Sequence, residues 1–157
     1  MKLALKELDE HRQDEGAMLQ KDLLLRIDNI TAYTEKVREL DPLRKDKVRT
    51  RIETLLAEYV GKENVDGNRM EQELVFYLEK LDISEELIRL ENHLRYFKEM
   101  LKDDDAAKGK KLGFVLQEIG REINTTGSKA NDAAIQQWVV MMKDELEKAK
   151  EQVLNVL

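Results

Sequence analysis

Residues 110–157, KKLGFVLQEIGREINTTGSKANDAAIQQWVVMMKDELEKAKEQVLNVL, decide the fold class. Their apolar positions recur at Leu112, Leu116, Ile119 and Ile123, and again at Ile135, Val139, Met142, Leu146, Ala149, Val153 and Val156. Steps of three and four put one apolar side chain per turn on a single face, which is the period of an amphipathic helix and not of a strand. The two seams run out of phase across Asn124-Thr125-Thr126-Gly127-Ser128-Lys129, so a break or bulge is expected there.

The same rhythm extends upstream. Within 69–101 it runs through Met70, Leu74, Leu78 and Leu81, then Leu87, Leu90, Leu94, Phe97 and Leu101. Asp82-Ile83-Ser84-Glu85-Glu86 interrupts it. Either Asp82 caps a new helix, with Glu85 completing a capping box, or one long helix carries polar groups inward. Lys102–Gly109 reads as a connecting loop. A helix over 43–60 has Val48, Ile52, Leu55 and Tyr59 on one face and Gly61 as its C-cap, followed by a loop over 62–68. Residues 1–41 form a first helix with the seam Leu19, Leu23, Ile27, Ile30, Tyr33, Val37 and Leu40. Pro42 is expected to stop it, because proline breaks the hydrogen-bond ladder.

Composition agrees. The chain has 157 residues, 38% charged and 5% aromatic, with 7 Gly, 1 Pro and no Cys. No cysteine means no disulfide frame, no thiolate zinc site and no cysteine nucleophile, and it suits a reducing cytoplasm. No apolar run is long enough to span a membrane. The expected fold is all-α: one domain, 1–157, an elongated bundle or hairpin of four to five helices, several of them long. Long seams on so slender a shape also lead us to expect a homo-oligomer. The net charge of −6 disfavours nucleic-acid binding except through local basic patches. Two exist: Lys108 to Lys129, locally +3, and Arg44 to Arg51, locally +4, the second reading more simply as a solvated helix face.

Two stretches go beyond periodicity. One is Arg69-Met70-Glu71-Gln72-Glu73-Leu74 followed by Lys80-Leu81-Asp82-Ile83-Ser84-Glu85-Glu86-Leu87-Ile88-Arg89-Leu90-Glu91-Asn92-His93. The other runs from Gly109-Lys110-Lys111-Leu112 through Gln117-Glu118-Ile119-Gly120-Arg121-Glu122-Ile123-Asn124-Thr125-Thr126-Gly127-Ser128-Lys129. Together they resemble the C-terminal half of the bacterial YicC/YloC proteins. Arg12-Gln13-Asp14-Glu15-Gly16 resembles that family's linking helix, and the ending from Met142 fits its C-terminus. Two positions depart: Gly113, where the family usually has Asp, and Gly120, where it has Asn. A full member begins with a mixed α/β region, so this chain is expected to be a fragment. The resemblance implies a single-strand endoribonuclease that depends on a divalent cation, Mg²⁺ or Mn²⁺, and acts in bacterial stress and RNA turnover.

A metal-assisted nuclease needs carboxylates to hold the cation and orient a nucleophile. Glu118 and Glu122, at i and i+4, share a helix face, with Glu73 and Glu85 as further candidate ligands inside the matching motifs. The competing reading is a solvated face for the first pair and a helix cap for Asp82 to Glu86. His93 is the candidate general acid or base, against a role in a helix–helix polar network. Catalysis is thus assigned to Glu122, Glu118 and His93. Lys110, Lys111, Arg121 and Lys129 are expected to position the RNA backbone, with Arg69 and Arg89 pairing carboxylate or phosphate. Phe114, Tyr96 and Phe97 are expected in the core, and Trp138 in the core or an oligomer contact. Asp103-Asp104-Asp105 reads as a solvated loop and His11 carries no assigned role. A non-catalytic helical scaffold serving a catalytic N-terminal part is the rival reading, and a protein-binding adaptor a third.

Overall fold

The computed structural model describes residues 2–60, 67–103 and 108–155; the expectations at Gly61, at 62–66 and at Asp104 and Asp105 lie outside them. Five helices make up the described residues: α1 (Lys2–Val60), α2 (Gly67–Leu81), α3 (Ser84–Leu101), α4 (Lys108–Ala130) and α5 (Ala133–Leu154). The all-α fold follows from the helical period that runs through every segment.

α1, α3, α4 and α5 form a ring in which α1 packs along α5, α5 on α4, α4 on α3, and α3 back on α1. The middle of α1 closes this four-helix bundle with buried Leu23, Ile27, Ile30, Thr34, Val37, Asp41 and Arg44. Their spacing of four and three, repeated without interruption, is the a/d seam of helices packed at a shallow angle. Thr34 is tolerated inside because its hydroxyl donates to the Ile30 carbonyl at 2.8 Å. Trp138 packs within the chain, its ring 5.5 Å from that of Tyr33. α1 extends beyond the bundle at both ends. Leu3, Leu5, Leu8 and Met18 are exposed at its start, and its last turns pair with α2 as an antiparallel hairpin arm.

Pro42 does not end the first helix; 2–41 and 43–60 are one element. Proline inside a helix costs about 3 kcal/mol. Burial of one or two aliphatic side chains, each about 1.5–3 kcal/mol, offsets that cost, and Val37 lies buried just before the proline. A buried clamp sits on the other side. Arg44 donates to Asp41 Oδ1 from Nε and Nη2, at 3.0 and 2.8 Å. It also reaches the Leu81 carbonyl at 2.7 Å and the Ala130 carbonyl at 3.3 Å. One guanidinium thus ties the C-terminal ends of α2 and α4 to the turn that follows the proline.

The break within 69–101 is real, but its cap differs from expectation. Ile83 is the N-cap of α3, without a side-chain cap bond. Asp82 instead accepts from the Ser84 amide at 3.1 Å and the Ser84 hydroxyl at 2.7 Å, and Glu85 turns to Arg89. The break expected at Asn124–Lys129 is displaced to residues 131–132. Thr125 and Thr126 stay helical, their hydroxyls bonded back to Arg121 and Glu122 carbonyls at 3.0 and 2.7 Å. Asn131 adopts φ 42°, a left-handed conformation asparagine tolerates, and Asp132 caps α5 through the Ile135 amide. The seams are out of phase because the chain reverses there.

Candidate functional site

The functional residues named by the sequence fall mainly on the two helices that pair most closely outside α1 and α5. Three contacts set the antiparallel register of α3 and α4. Lys108 Nζ donates to the Leu101 carbonyl at 2.8 Å, Arg89 Nε to Glu122 Oε1 at 3.0 Å, and Lys129 Nζ to Glu86 Oε1 at 2.6 Å. At 100° per residue, the α4-facing flank of α3 carries Glu86, Arg89, His93 and Tyr96. The α3-facing flank of α4 carries Lys129, Glu122, Glu118 and Lys111 by the same rule, while Phe114 turns about 80° from Glu122 onto the outer face, near Arg121. The opposite flank of α3 turns to α1, where Lys98 meets Asp28 and Arg38 meets Glu91.

The groove between these flanks therefore has an order. At one end stand Lys111 and Tyr96, with Phe114 on the outer rim; then His93 opposite Glu118; then Arg89 with Glu122; then Glu86 with Lys129. Arg89 holds three carboxylates at once: Glu122 at 3.0 Å, Glu85 at 3.3 Å and Glu86 at 3.5 Å. The Glu122 bond, then its charge, keeps Arg89 firmly protonated. Its side chain is 46% exposed, while Glu86 beneath is 3% exposed with Oε2 lacking any partner. Beyond Lys129 the network continues to Asp82, which Lys45 approaches at 3.3 Å. Ser84's hydroxyl, and with it Lys45, holds the Asp82 carboxyl below the usual range.

Not every candidate joins the groove. Lys110 and Arg121 face outward on α4, Arg121 lying 3.6 Å from Glu118. Arg69 and Glu73 sit together on the arm helix α2. Glu73 is two turns from the end of α2, about 12 Å along its axis. Glu122 and Glu85 are engaged by Arg89, and no three His, Asp or Glu side chains converge as metal ligands among the described residues. The four carboxylates named as metal ligands thus do not form a ready-made cage. His11 pairs with Glu15 on the exposed start of α1.

Gly113 and Gly120, the two departures from the family pattern, lie on the other flank of α4. A Cβ on Gly120 would stand 3.1 Å from Leu146 Cδ2, so glycine there lets α5 approach closely, whereas a Cβ on Gly113 would meet open space. The groove does not depend on either.

Sequence reasoning misses four participants. Glu86 reads as a cap, and Arg44 as part of a solvated basic face, yet both are buried. Phe114 and Tyr96 are corrections as well: expected in the core, they are 62% and 52% exposed, while Phe97 is fully buried. A signal for the aromatics exists. Phe114 falls between Leu112 and Leu116, and Tyr96 between Leu94 and Phe97, each off the seam of its own helix.

The comparisons with known proteins agree with the resemblance. A family model described as "Endoribonuclease YicC-like, C-terminal" matches residues 34–157. A Clostridioides difficile (strain 630) protein named "Probable endoribonuclease YicC" is 34% identical over 154 residues, covering 98% of this chain and 52% of that protein. A Haemophilus influenzae protein of the same name is 35% identical over 146 residues, covering 92% of this chain and 50% of its own length. The chain spans about half the length of the curated relatives it matches. It belongs to the endoribonuclease YicC-like C-terminal family.

Proposed function

We propose that this chain is the RNA-gripping and cleaving helical half of a cytoplasmic, homo-oligomeric endoribonuclease that acts on single-stranded RNA in RNA turnover. The observation that carries the reading is the α3–α4 groove, which lines up an imidazole, a half-exposed guanidinium and carboxylates between lysines. In this reading Lys111 and Lys129 hold phosphates along the groove, Lys110 and Arg121 hold them on the outer face of α4, and Arg69 contacts the strand on the arm. Arg89 faces the scissile phosphate, where its charge is worth most as negative charge develops on the phosphoryl oxygens. His93 and Glu118 exchange protons with the attacking and leaving oxygens. Glu122 is a positioning residue: it holds Arg89 through Nε.

A requirement for Mg²⁺ or Mn²⁺ is proposed for the whole protein. The described residues offer that cation Glu118 and Glu122 from one side of the groove only. The rival reading is a non-catalytic scaffold, favoured by the long exposed start of α1 with Leu3, Leu5 and Leu8. RNA cleavage by this chain, with and without Mg²⁺ or Mn²⁺, separates the two. We expect cation-dependent cutting that disappears in Glu122→Gln while the helical circular dichroism is kept. A chain that neither binds nor cuts single-stranded RNA would be the scaffold.

A further inference from the structure

Single exposed apolar side chains are ordinary on protein surfaces. The two aromatic rings at the Lys111 end of the α3–α4 groove are not isolated in that sense. Tyr96 on α3 and Phe114 on α4 stand at matching heights on the outer face of the two helices, one on each side of the groove, in the register set by Arg89 with Glu122 and Lys108 with the Leu101 carbonyl. Both are more than half exposed. Lys110 and Lys111 precede Phe114 by about one turn of the helix. In a chain of net charge −6 this is a local basic edge, complementary to a polyanion.

We propose that Phe114, supported by Tyr96, is a base-stacking subsite for single-stranded RNA, with Lys110 and Lys111 holding the phosphates on either side of the stacked nucleotide. The inference rests on the RNA reading above and adds to it the part of the substrate recognised. Aromatic side chains next to cations are how single strands are gripped without sequence preference, because every base offers a π-face. Unpaired bases can reach such rings; paired bases are already stacked inside a duplex. The subsite would therefore give the groove its preference for single strands, and would place the gripped base about two helical turns from Arg89.

The test is fluorescence anisotropy of this chain with a labelled oligoadenylate and with an abasic ribose-phosphate oligomer of equal length. Phe114→Ala should weaken oligoadenylate binding by roughly 5- to 150-fold and leave abasic binding unchanged, and Phe114→Trp should keep wild-type affinity. Tyr96→Ala should move in the same direction by less. Equal binding of both oligomers by wild type and Phe114→Ala overturns the subsite. If Lys110→Ala/Lys111→Ala still loses affinity in that case, the RNA reading stands and only stacking falls. If wild type binds neither oligomer, both readings fall. If Phe114→Ala changes only the sedimentation coefficient, the rings are a contact between copies of the chain and the proposal is wrong.

Discussion

Two arginines, Arg44 and Arg89, hold opposite kinds of cluster. Arg44 is 2% exposed, and its bonds go to Asp41 and to two carbonyls at helix ends. Arg89 is 46% exposed and divides itself among three glutamates, one of which keeps a buried oxygen without a partner. A dry cation with satisfied donors can only fasten, because moving it would expose unpaired groups on three helices. A half-open cation shared by several carboxylates can exchange one of them for another anion. Both arginines stand in charged runs of similar look along the chain; the difference lies in what surrounds them.

The contrast can be broken most directly at Arg44. Arg44→Met should lower the unfolding free energy by about 3–5 kcal/mol, since it leaves buried Asp41 with only the half-exposed Lys45 and strips the Leu81 and Ala130 carbonyls of their donor. Urea denaturation measures this, and adding Asp41→Leu should recover part of the loss. Next in size, Arg89→Lys, which keeps a cation beside the buried Glu122, should reduce RNA cleavage by about 100-fold or more while the urea midpoint moves less than in Arg44→Met. Equal damage to stability in both variants would erase the distinction between fastener and working group. The smallest expected effect concerns pH. Asp82, bonded to Ser84 and near Lys45, and Glu91, bonded to Arg38, both have carboxyls held below their ordinary range. A depressed folded value means the unfolded chain takes up protons first. The stability these groups contribute is therefore complete above the ordinary carboxylate range and lost as pH falls through their depressed values. Asp82→Asn should flatten that acid limb by less than about 1 kcal/mol, because the group is partly solvated. Unfolding curves from neutral to acid pH would reveal it, and an unchanged slope would remove Asp82 from the network.

Much of the groove is legible in the order of residues along the chain, and the reason is periodicity. Glu118 and Glu122 are one turn apart, Arg89 and His93 likewise, so each pair must share a helix face once the segments are helical. What stays illegible there is which face meets which helix. Glu86 looks like a residue satisfying the start of α3, and only the approach of Lys129, 43 residues later, makes it the buried centre of an ion cluster. Glu73 looks equivalent to Glu85 because both sit in matching motifs, yet α2 carries it out along the arm. Phe114 and Tyr96 are expected inward because aromatics usually are, although their phase already places them off the seam.

The chain's own residues determine that it is helical throughout the described segments, where the apolar stripes run, and that a break lies near Asp82. These are local properties, set by side chains three and four residues apart. The continuation of α1 through Pro42, the placement of the last reversal at Asn131, and the pairing of Arg89 with Glu122 are decided only in the tertiary structure. Each depends on partners distant in sequence. At Pro42 the local cost is about 3 kcal/mol, and burial before the proline with the Arg44 clamp after it is enough to offset it.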